Sequence, residues 1–261
     1  MPELPEVEHA ARVLSRAGVG RTIKGVRVLY PAQRRHLPSS AIARLTGARI
    51  SAVERRAKYQ LVTTTAGVLL VHFRMNGDWH VGRSADGLPP HARIVFDLDD
   101  GSRVSLVDSR ALGSISLHDS RDSVPLPALG PEASDSALTP AVLRAALGTR
   151  RGPIKPALLD QRIIAGLGNI YAAEALWNAR ISPTATASAL SAARASRLVD
   201  GARAALAAAE REPGRYANRE ATDRLHVYGR EGEPCDRCGK AIRRMTQAGR
   251  STFYCPRCQR V

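Results

Sequence analysis

The chain has 261 residues and a formal net charge of +15, because 39 Lys and Arg residues outnumber 24 Asp and Glu residues. Hydrophobic residues make up 44% of it and charged residues 24%, which excludes a disordered, collagenous or disulfide-dense protein. It has no apolar run of about eighteen residues, and its start is acidic rather than basic and then apolar. We therefore expect a cytoplasmic protein without a membrane span or secretory signal, whose positive surplus attracts a polyanion.

The first half of the chain predicts one short helix followed by strands. Apolar residues recur at helical spacing from Val7 to Leu14, and Gly18 and Gly20 end the pattern. Short runs rich in β-branched residues then follow at Thr22–Tyr30, Ala48–Val53, Tyr59–Thr64, Gly67–Phe73, Ala92–Leu98 and Ser102–Val107. Strands this close together, without helices between them, indicate an antiparallel sandwich or barrel.

A proline-rich stretch divides the chain. Residues 121–139 hold several prolines among Ser, Asp and Ala residues and are predicted to form an extended linker. Helical patterns follow at Pro140–Leu147, Ile154–Gln161, Ile170–Asn178 and Leu190–Glu210. The predicted domains are therefore residues 1–120, 140–227 and 228–261.

The last predicted domain holds all four cysteines, as Cys235-x2-Cys238 and Cys255-x2-Cys258 with sixteen residues between the pairs. Their thiolates can converge tetrahedrally on one zinc ion. Two disulfides are the alternative, but they are rare in a reducing compartment. Because four thiolates leave no coordination position open, the zinc is predicted to be structural. Residues 235–261 also carry seven Lys and Arg residues against one acid, as either a nucleic-acid contact or a solvated basic face.

The acidic start of this basic protein has two explanations. Pro and Glu residues near a first helical turn favour the positive end of the helix dipole. Alternatively, removal of Met1 leaves Pro2 as a secondary amine with a pKa of about 8, which at pH 7 is a better nucleophile than lysine. Schiff-base chemistry on a sugar carbon needs such an amine with a carboxyl group beside it, and Glu3 is its neighbour.

The motifs together resemble those of the bacterial formamidopyrimidine-DNA glycosylase and endonuclease VIII family of base-excision repair enzymes. Along almost the whole chain these are residues 2–8, Arg56–Tyr59, His72–Gly77, Asp108–Arg110, Gly166–Tyr171, Val227–Arg230, and the zinc module with Arg250. The resemblance implies a multidomain α+β fold: an antiparallel β-sandwich with a leading helix, a helical helix-two-turn-helix domain and a zinc ribbon. It implies damaged double-stranded DNA as the partner, with the damaged nucleotide rotated out of the stack.

The resemblance also implies the catalytic residues. Pro2 would attack C1′, expel the base and form a Schiff base. Glu3 would assist ring opening and proton transfers, and Lys58 would approach a phosphate that flanks the lesion. Glu6 would lie in the lesion pocket. From the residues alone, Lys58 is an ordinary basic residue that leads a strand.

A further set of residues is implied to bind DNA. Asn169 and Arg250, joined by His72 and Tyr228, would hold phosphates beside the extruded nucleotide. Met75 would fill the void left by the base, although a core methionine is the alternative. Arg110 would pair with the orphaned partner base, and Leu112 would act as an aliphatic wedge.

The glycines of Gly166-x-Gly168 are usually just a turn, and no Lys-Ser or Lys-Thr follows them as in an ATP-binding loop. We expect no nucleotide cofactor, although backbone amides at a glycine-rich helix start suit a DNA phosphate.

Two departures from the purine-specific members bear on the substrate. Leu112 stands where those members usually carry phenylalanine, and the lesion-capping segment from Glu212 to His226 is short. We therefore expect formamidopyrimidines, oxidised pyrimidines and abasic sites to be better substrates than 8-oxoguanine. The expected protein is a nucleoid-associated monomer with base-excision and β,δ-elimination lyase activities. The alternatives are a non-catalytic zinc-ribbon protein that binds DNA or RNA and a zinc-ribbon transcription or translation factor.

Overall fold

The computed structural model describes residues 1–210 and 225–261. Within these ranges, no helix is long and apolar enough to cross a membrane. The chain forms two compact units, one of residues 1–2 and 6–126 and the other of residues 3–5 and 127–261.

The first unit contains two four-stranded sheets, with the antiparallel architecture that the sequence predicts. The strands are β1 (Ile23–Val28), β2 (Ile50–Arg56), β3 (Tyr59–Thr64), β4 (Gly67–His72), β5 (Asp78–Arg83), β6 (Ala92–Leu98), β7 (Ser102–Val107) and β8 (Ser114–His118). One sheet has the order β1-β6-β7-β5 and the other β2-β3-β4-β8. Leu106 and Phe96 of the first sheet share one buried core with Val62 and Ile115 of the second, so the two sheets form a sandwich.

Helix α1 (Leu4–Gly18) packs on this sandwich through the face that the sequence predicts, since Val7, Ala10 and Leu14 are buried in the same core. The unit also contains a 3-10 turn at Pro31–Arg35 and a short helix α2 (Ser39–Leu45). The sequence analysis missed α2, β5 and β8. The two missed strands lie at sheet edges, where one side needs no partner and the apolar pattern is weak.

The second unit is helical. Its helices are α3 (Pro140–Leu147), α4 (Ile154–Leu158), α5 (Asn169–Asn178) and α6 (Ala192–Glu210). Every residue of α5 from Tyr171 to Trp177 is buried, so this helix runs through the interior of the unit. Ala133 and Leu138, in the predicted linker, are also fully buried in this core.

The last part of the second unit contains a hairpin of two strands, β9 (Arg243–Gln247) and β10 (Arg250–Tyr254). Its Phe253 and the neighbouring Ile242 pack with Trp177 of α5 and with buried cysteines. The hairpin is therefore attached to the same helix that forms the interior of the unit.

Candidate active site

The Glu3 carboxylate is fixed on the first turn of α5. Its Oε1 accepts a hydrogen bond from the Ile170 amide at 3.0 Å, and its Oε2 accepts one from the Tyr171 amide at 3.3 Å. The residue is only 2% exposed. A carboxylate at this end of a helix satisfies amides that have no partner within the helix and interacts favourably with the helix dipole. Glu3 thereby gives the chain start a defined position in the second unit.

The glycine pair before α5 makes room for this chain start. A Cβ at Gly168 would lie 2.3 Å from Glu3 Cδ, and one at Gly166, whose φ is +85°, would lie 2.5 Å from Leu4 Cδ1. The Leu4 amide also donates to the Gly166 carbonyl at 3.1 Å. From the sequence, the backbone amides at this glycine-rich helix start were expected to suit a DNA phosphate. That is wrong for Ile170 and Tyr171, because Glu3 occupies their amides.

Pro2 is half-buried beside Glu3 in sequence. Glu6, predicted to lie in the lesion pocket, is a half-buried acidic residue in the first turn of α1.

A buried cation holds the Asn169 side chain. Lys155 Nζ donates to Asn169 Oδ1 at 2.5 Å, to Thr252 Oγ1 at 2.8 Å and to the Ser251 carbonyl at 3.1 Å. Burial lowers the pKa of Lys155 to about 8; the Glu3 carboxylate opposes this shift and Arg250 adds to it. Sequence reasoning missed Lys155, which stands as an isolated lysine before a proline. Only its 1% exposure distinguishes it from a surface residue.

Tyr228 lies beside Asn169. Its hydroxyl accepts a hydrogen bond from Asn169 Nδ2 at 3.2 Å, and its ring packs edge-on against Phe253 at 5.0 Å. The backbone that carries it is held by Glu174 of α5, which is 3% exposed. This carboxylate accepts from the amides of His226, Val227 and Tyr228 at 2.9, 3.0 and 2.9 Å. Glu174 was missed as well, since an acid within a helix usually faces solvent.

Arg250 is exposed at the start of β10, directly after a two-residue turn. Ala248 and Gly249 form this turn with φ values of +47° and +71°, as a type I′ hairpin turn requires. The tight turn places Arg250 at the tip of the hairpin. Arg250 is also close enough to Lys155 for the two charges to repel.

In the first unit, Lys58 and His72 lie next to each other. Lys58 is 8% exposed and forms with Ala57, whose φ is +53°, the turn between β2 and β3. His72 faces Tyr59 across the sheet, with the two ring centroids 4.6 Å apart.

The His72 ring is neutral at ordinary pH. Burial, with the charges of Arg74 and Lys58, lowers the pKa of His72 to about 4. Its Nδ1 accepts a hydrogen bond from the Arg74 amide at 3.0 Å, so the ring proton is on Nε2. His72 therefore presents one N–H donor near the Lys58 ammonium.

Met75 lies in the loop between β4 and β5 and is 38% exposed, so the alternative of a core methionine is wrong. Arg74 precedes it with a φ of +56°. Gly77 closes the loop, since a Cβ there would lie 2.8 Å from the Phe73 carbonyl oxygen.

Arg110 and Leu112 lie in an exposed loop that a single buried carboxylate organises. Asp108 is 1% exposed and accepts from the amides of Arg110, Leu112 and Gly113 at 2.9, 2.7 and 2.7 Å. Gln33 binds the same loop through the Gly113 carbonyl at 2.7 Å. Leu112 is 49% exposed, as a wedge residue must be. The motif Asp-Ser-Arg thus contains both the exposed arginine and the acid that supports its loop.

The four cysteines fit a tetrahedral zinc ion. Their sulfurs all lie within 4.8 Å of one another. Cys238 Sγ and Cys255 Sγ are 3.5 Å apart, and Cys235 Sγ and Cys258 Sγ are 4.0 Å apart. Zinc–sulfur bonds of about 2.3 Å give a tetrahedral edge of about 3.8 Å, so these spacings match. The module holds one structural zinc ion, as predicted.

Three family profiles match the chain. Residues 1–115 match the formamidopyrimidine-DNA glycosylase N-terminal domain, residues 129–217 its H2TH domain, and residues 232–261 a zinc finger found in FPG and IleRS.

Relatives that the chain matches over nearly their whole length support the same family. The chain is 44% identical over 273 residues to a formamidopyrimidine-DNA glycosylase of Rhizorhabdus wittichii, covering 100% of both chains, and 43% identical to one of Chloroflexus aggregans, covering 99% and 98%. A Lactococcus lactis FPG mutant in complex with Fapy-dG DNA has a TM-score of 0.93 and 31% identity, covering 100% of both chains. MutM in complex with carbocyclic 8-oxo-G DNA has a TM-score of 0.92 and 32% identity, again with 100% coverage. The chain therefore belongs to the formamidopyrimidine-DNA glycosylase family.

Proposed function

We propose that this protein is a DNA glycosylase and abasic-site lyase, which removes oxidised bases from duplex DNA through a Schiff base on Pro2. The observation that carries the proposal is the buried Glu3 carboxylate, held by two amides of α5. It gives the residue after Pro2 one fixed position, and catalysis on a sugar carbon requires such positioning.

The chemistry follows from an amine at the start of the mature chain. The Pro2 nitrogen attacks C1′, the glycosidic bond breaks, and the base leaves with its bonding electron pair and takes up a proton. Glu3 transfers a proton to the ring oxygen as the sugar opens and the iminium forms. Loss of a C2′ proton then expels the 3′ phosphate, and a second elimination expels the 5′ phosphate. The Lys58 ammonium and the neutral His72 N–H stabilise the departing phosphate charge.

The remaining residues hold the DNA. Asn169, Tyr228 and Arg250 form a polar group in the second unit that suits phosphate oxygens, because it combines an amide, a phenol and a guanidinium. Two exposed loops of the first unit carry Met75, Arg110 and Leu112, which fill the vacated stack and contact the orphaned base. The protein acts as a monomer on damaged duplex DNA.

Formamidopyrimidines, oxidised pyrimidines and abasic sites are the proposed preferred substrates, ahead of 8-oxoguanine. The short segment from Glu212 to His226 supports this order; its residues 212–224 lie outside the described part of the chain. Excision rates from matched oligonucleotides that differ only in the lesion test the order. Fastest removal of 8-oxoguanine would overturn it.

Borohydride trapping on duplex DNA with an abasic site tests the mechanism. A chain released to begin at Pro2 should form a covalent adduct, and the same chain with one additional glycine before Pro2 should form none. Intact mass measurement establishes which terminus each preparation carries. Equal trapping by both chains would eliminate the Pro2 amine, and absence of an adduct from both would favour the non-catalytic alternative.

A further inference from the structure

An arginine-lined cavity of about 560 Å³ lies in the second unit, and no role described above uses it. Its cationic lining comes from five arginines: Arg180, Arg194, Arg197, Arg257 and Arg260. Cys238, Cys258 and Val261 complete the lining, so among the described residues it includes no lysine and no acidic side chain.

Hydrogen bonds to backbone carbonyls use only part of the donor capacity of these five arginines. Arg194 Nη2 donates to the Arg260 carbonyl at 2.8 Å, and Arg197 Nε donates to the Ala179 carbonyl at 3.2 Å. A guanidinium has five N–H donors, so both side chains keep further donors. No carboxylate of the described ranges 1–210 and 225–261 lies within 4.0 Å of any of the five guanidiniums.

Local electrostatics do not explain the cluster either. Arg194 and Arg197 lie in the first two turns of α6, where a cation is unfavourable next to the positive end of the helix dipole. Zinc with four thiolates carries a formal charge of about −2, and two of those thiolates line the cavity. Five positive charges exceed what this charge balances.

The cavity and the Asn169 group lie at opposite ends of helix α5. Asn169 begins α5, and Arg180 follows its end at Asn178. A helix of ten residues is about 15 Å long. A phosphate held at the Asn169 end therefore does not occupy the cavity.

We propose that this cavity binds the phosphate backbone of a second DNA segment. Arginine recognises phosphate in a bidentate manner, and all five cations here are arginines. Among the residues that the structure describes, the lining includes no aromatic ring on which a base could stack, so it suits backbone phosphates without sequence preference. The net charge of +15 favours a polyanion at such a surface, and DNA is the polyanion of the proposed function. The inference rests on the proposed function only in that DNA is the polyanion.

A ternary binding experiment tests the proposal. The protein is saturated with an unlabelled duplex that contains a stable abasic analogue, and a labelled undamaged duplex is then added and followed by fluorescence anisotropy and sedimentation. The test variant combines Arg180→Asn, Arg257→Gln and Arg260→Gln. Asn suits position 180, where φ is +57°. The control combines Arg16→Gln, Lys24→Gln and Arg49→Gln, which removes the same charge from exposed positions of the first unit.

The unaltered protein and the control should bind the second duplex with affinities within about twofold, and the test variant should bind it at least about tenfold more weakly. Its salt slope should fall by about 2 to 3, because each phosphate contact contributes about 0.9. Zinc content and borohydride trapping should be unchanged in the test variant, which separates this result from a failure of the proposed catalysis. Absence of a ternary complex with the unaltered protein, or equal binding by the test variant, would overturn the proposal. So would occupation by tripolyphosphate or a polyglutamate peptide without binding of the second duplex.

Discussion

Buried Lys155 and half-buried Asn169 form a pair in which the lysine ammonium fixes the orientation of the asparagine amide. Lys155 Nζ donates to Asn169 Oδ1 at 2.5 Å, while Asn169 Nδ2 donates to the Ser251 carbonyl at 3.0 Å and to the Tyr228 hydroxyl at 3.2 Å. The amide oxygen therefore faces the cation and the amide nitrogen faces two acceptors. A side chain held in this way keeps one orientation and loses little rotamer entropy when a ligand binds beside it.

Replacing Lys155 with Met should destabilise the protein by roughly 1–3 kcal/mol at pH 7, because Asn169, Ser251 and Thr252 lose a buried donor. The difference should grow as the pH rises from 8 to 10. Burial lowers the Lys155 pKa from 10.5 to about 8, so in this window the unfolded chain binds more protons than the folded one, and the unaltered protein gains stability. Melting temperatures of both proteins at several pH values measure this. A constant difference would contradict a lowered lysine pKa.

Replacing Gly168 with Ala should impair base excision while the protein stays folded. The added Cβ would lie 2.3 Å from Glu3 Cδ, so the carboxylate must leave the amides of Ile170 and Tyr171. Gly152→Ala is the matched control, since a Cβ there meets nothing within 4 Å. Single-turnover excision rates should fall at least about tenfold for the first variant, with an overpacking cost of about 1–3 kcal/mol in stability. The control should excise bases at the rate of the unaltered protein. Equal rates for both variants would show that the position of the Glu3 carboxylate does not determine the excision rate.

Replacing Glu3 with Gln should slow base excision by about 10² to 10⁴, the usual contribution of a positioned acid or base. An amide also turns an N–H group toward a backbone N–H where the carboxylate accepts two hydrogen bonds. Trapping on a preformed abasic site should fall less, because the base has already left and the hemiacetal sugar opens reversibly to its aldehyde without an enzyme. Glu8→Gln is the control in α1, the helix that follows Glu3, since Glu8 pairs with Arg12 and Arg55. Equal losses in both assays would assign Glu3 to positioning alone.

Removing zinc with a chelator should abolish DNA binding before it unfolds the first unit. The four cysteines hold the β9–β10 hairpin, which carries Arg250 and packs Phe253 against Tyr228. Without the metal this small module lacks a sufficient core. Tryptophan fluorescence follows Trp177, which packs in the same cluster, and a labelled duplex follows binding in parallel. Binding that survives complete removal of zinc would show that Arg250 and Tyr228 are positioned without the module.

The elements with strong periodicity were predictable. The alternating strands of the sandwich core, the apolar face of α1 and the buried α5 all follow from apolar spacing. The zinc module was predictable from cysteine spacing alone. Edge strand β5 was not, because most of its residues are exposed. The domain bounds 1–120, 140–227 and 228–261 stay predictions.

The candidate site likewise contains residues that the sequence predicts and residues that only the structure identifies. Residues in motifs, such as Glu3, Arg110 and Asn169, were found from the sequence, and their roles stay predictions. Lys155 and Glu174 were missed because their importance comes from burial among distant backbone amides and carbonyls. No local pattern marks a charged residue that the fold takes out of water.

Two segments that are far apart along the chain are attached to helix α5, each through a carboxylate. Its first amides hold Glu3, and its own Glu174 holds the amides of residues 226–228. A small rotation of this one helix would displace both attachments together. Substitutions at the two acids are therefore expected to be energetically coupled, with a double variant that departs from the sum of the single losses. The proposed chemistry at the chain start and the proposed phosphate contacts therefore depend on the same helix.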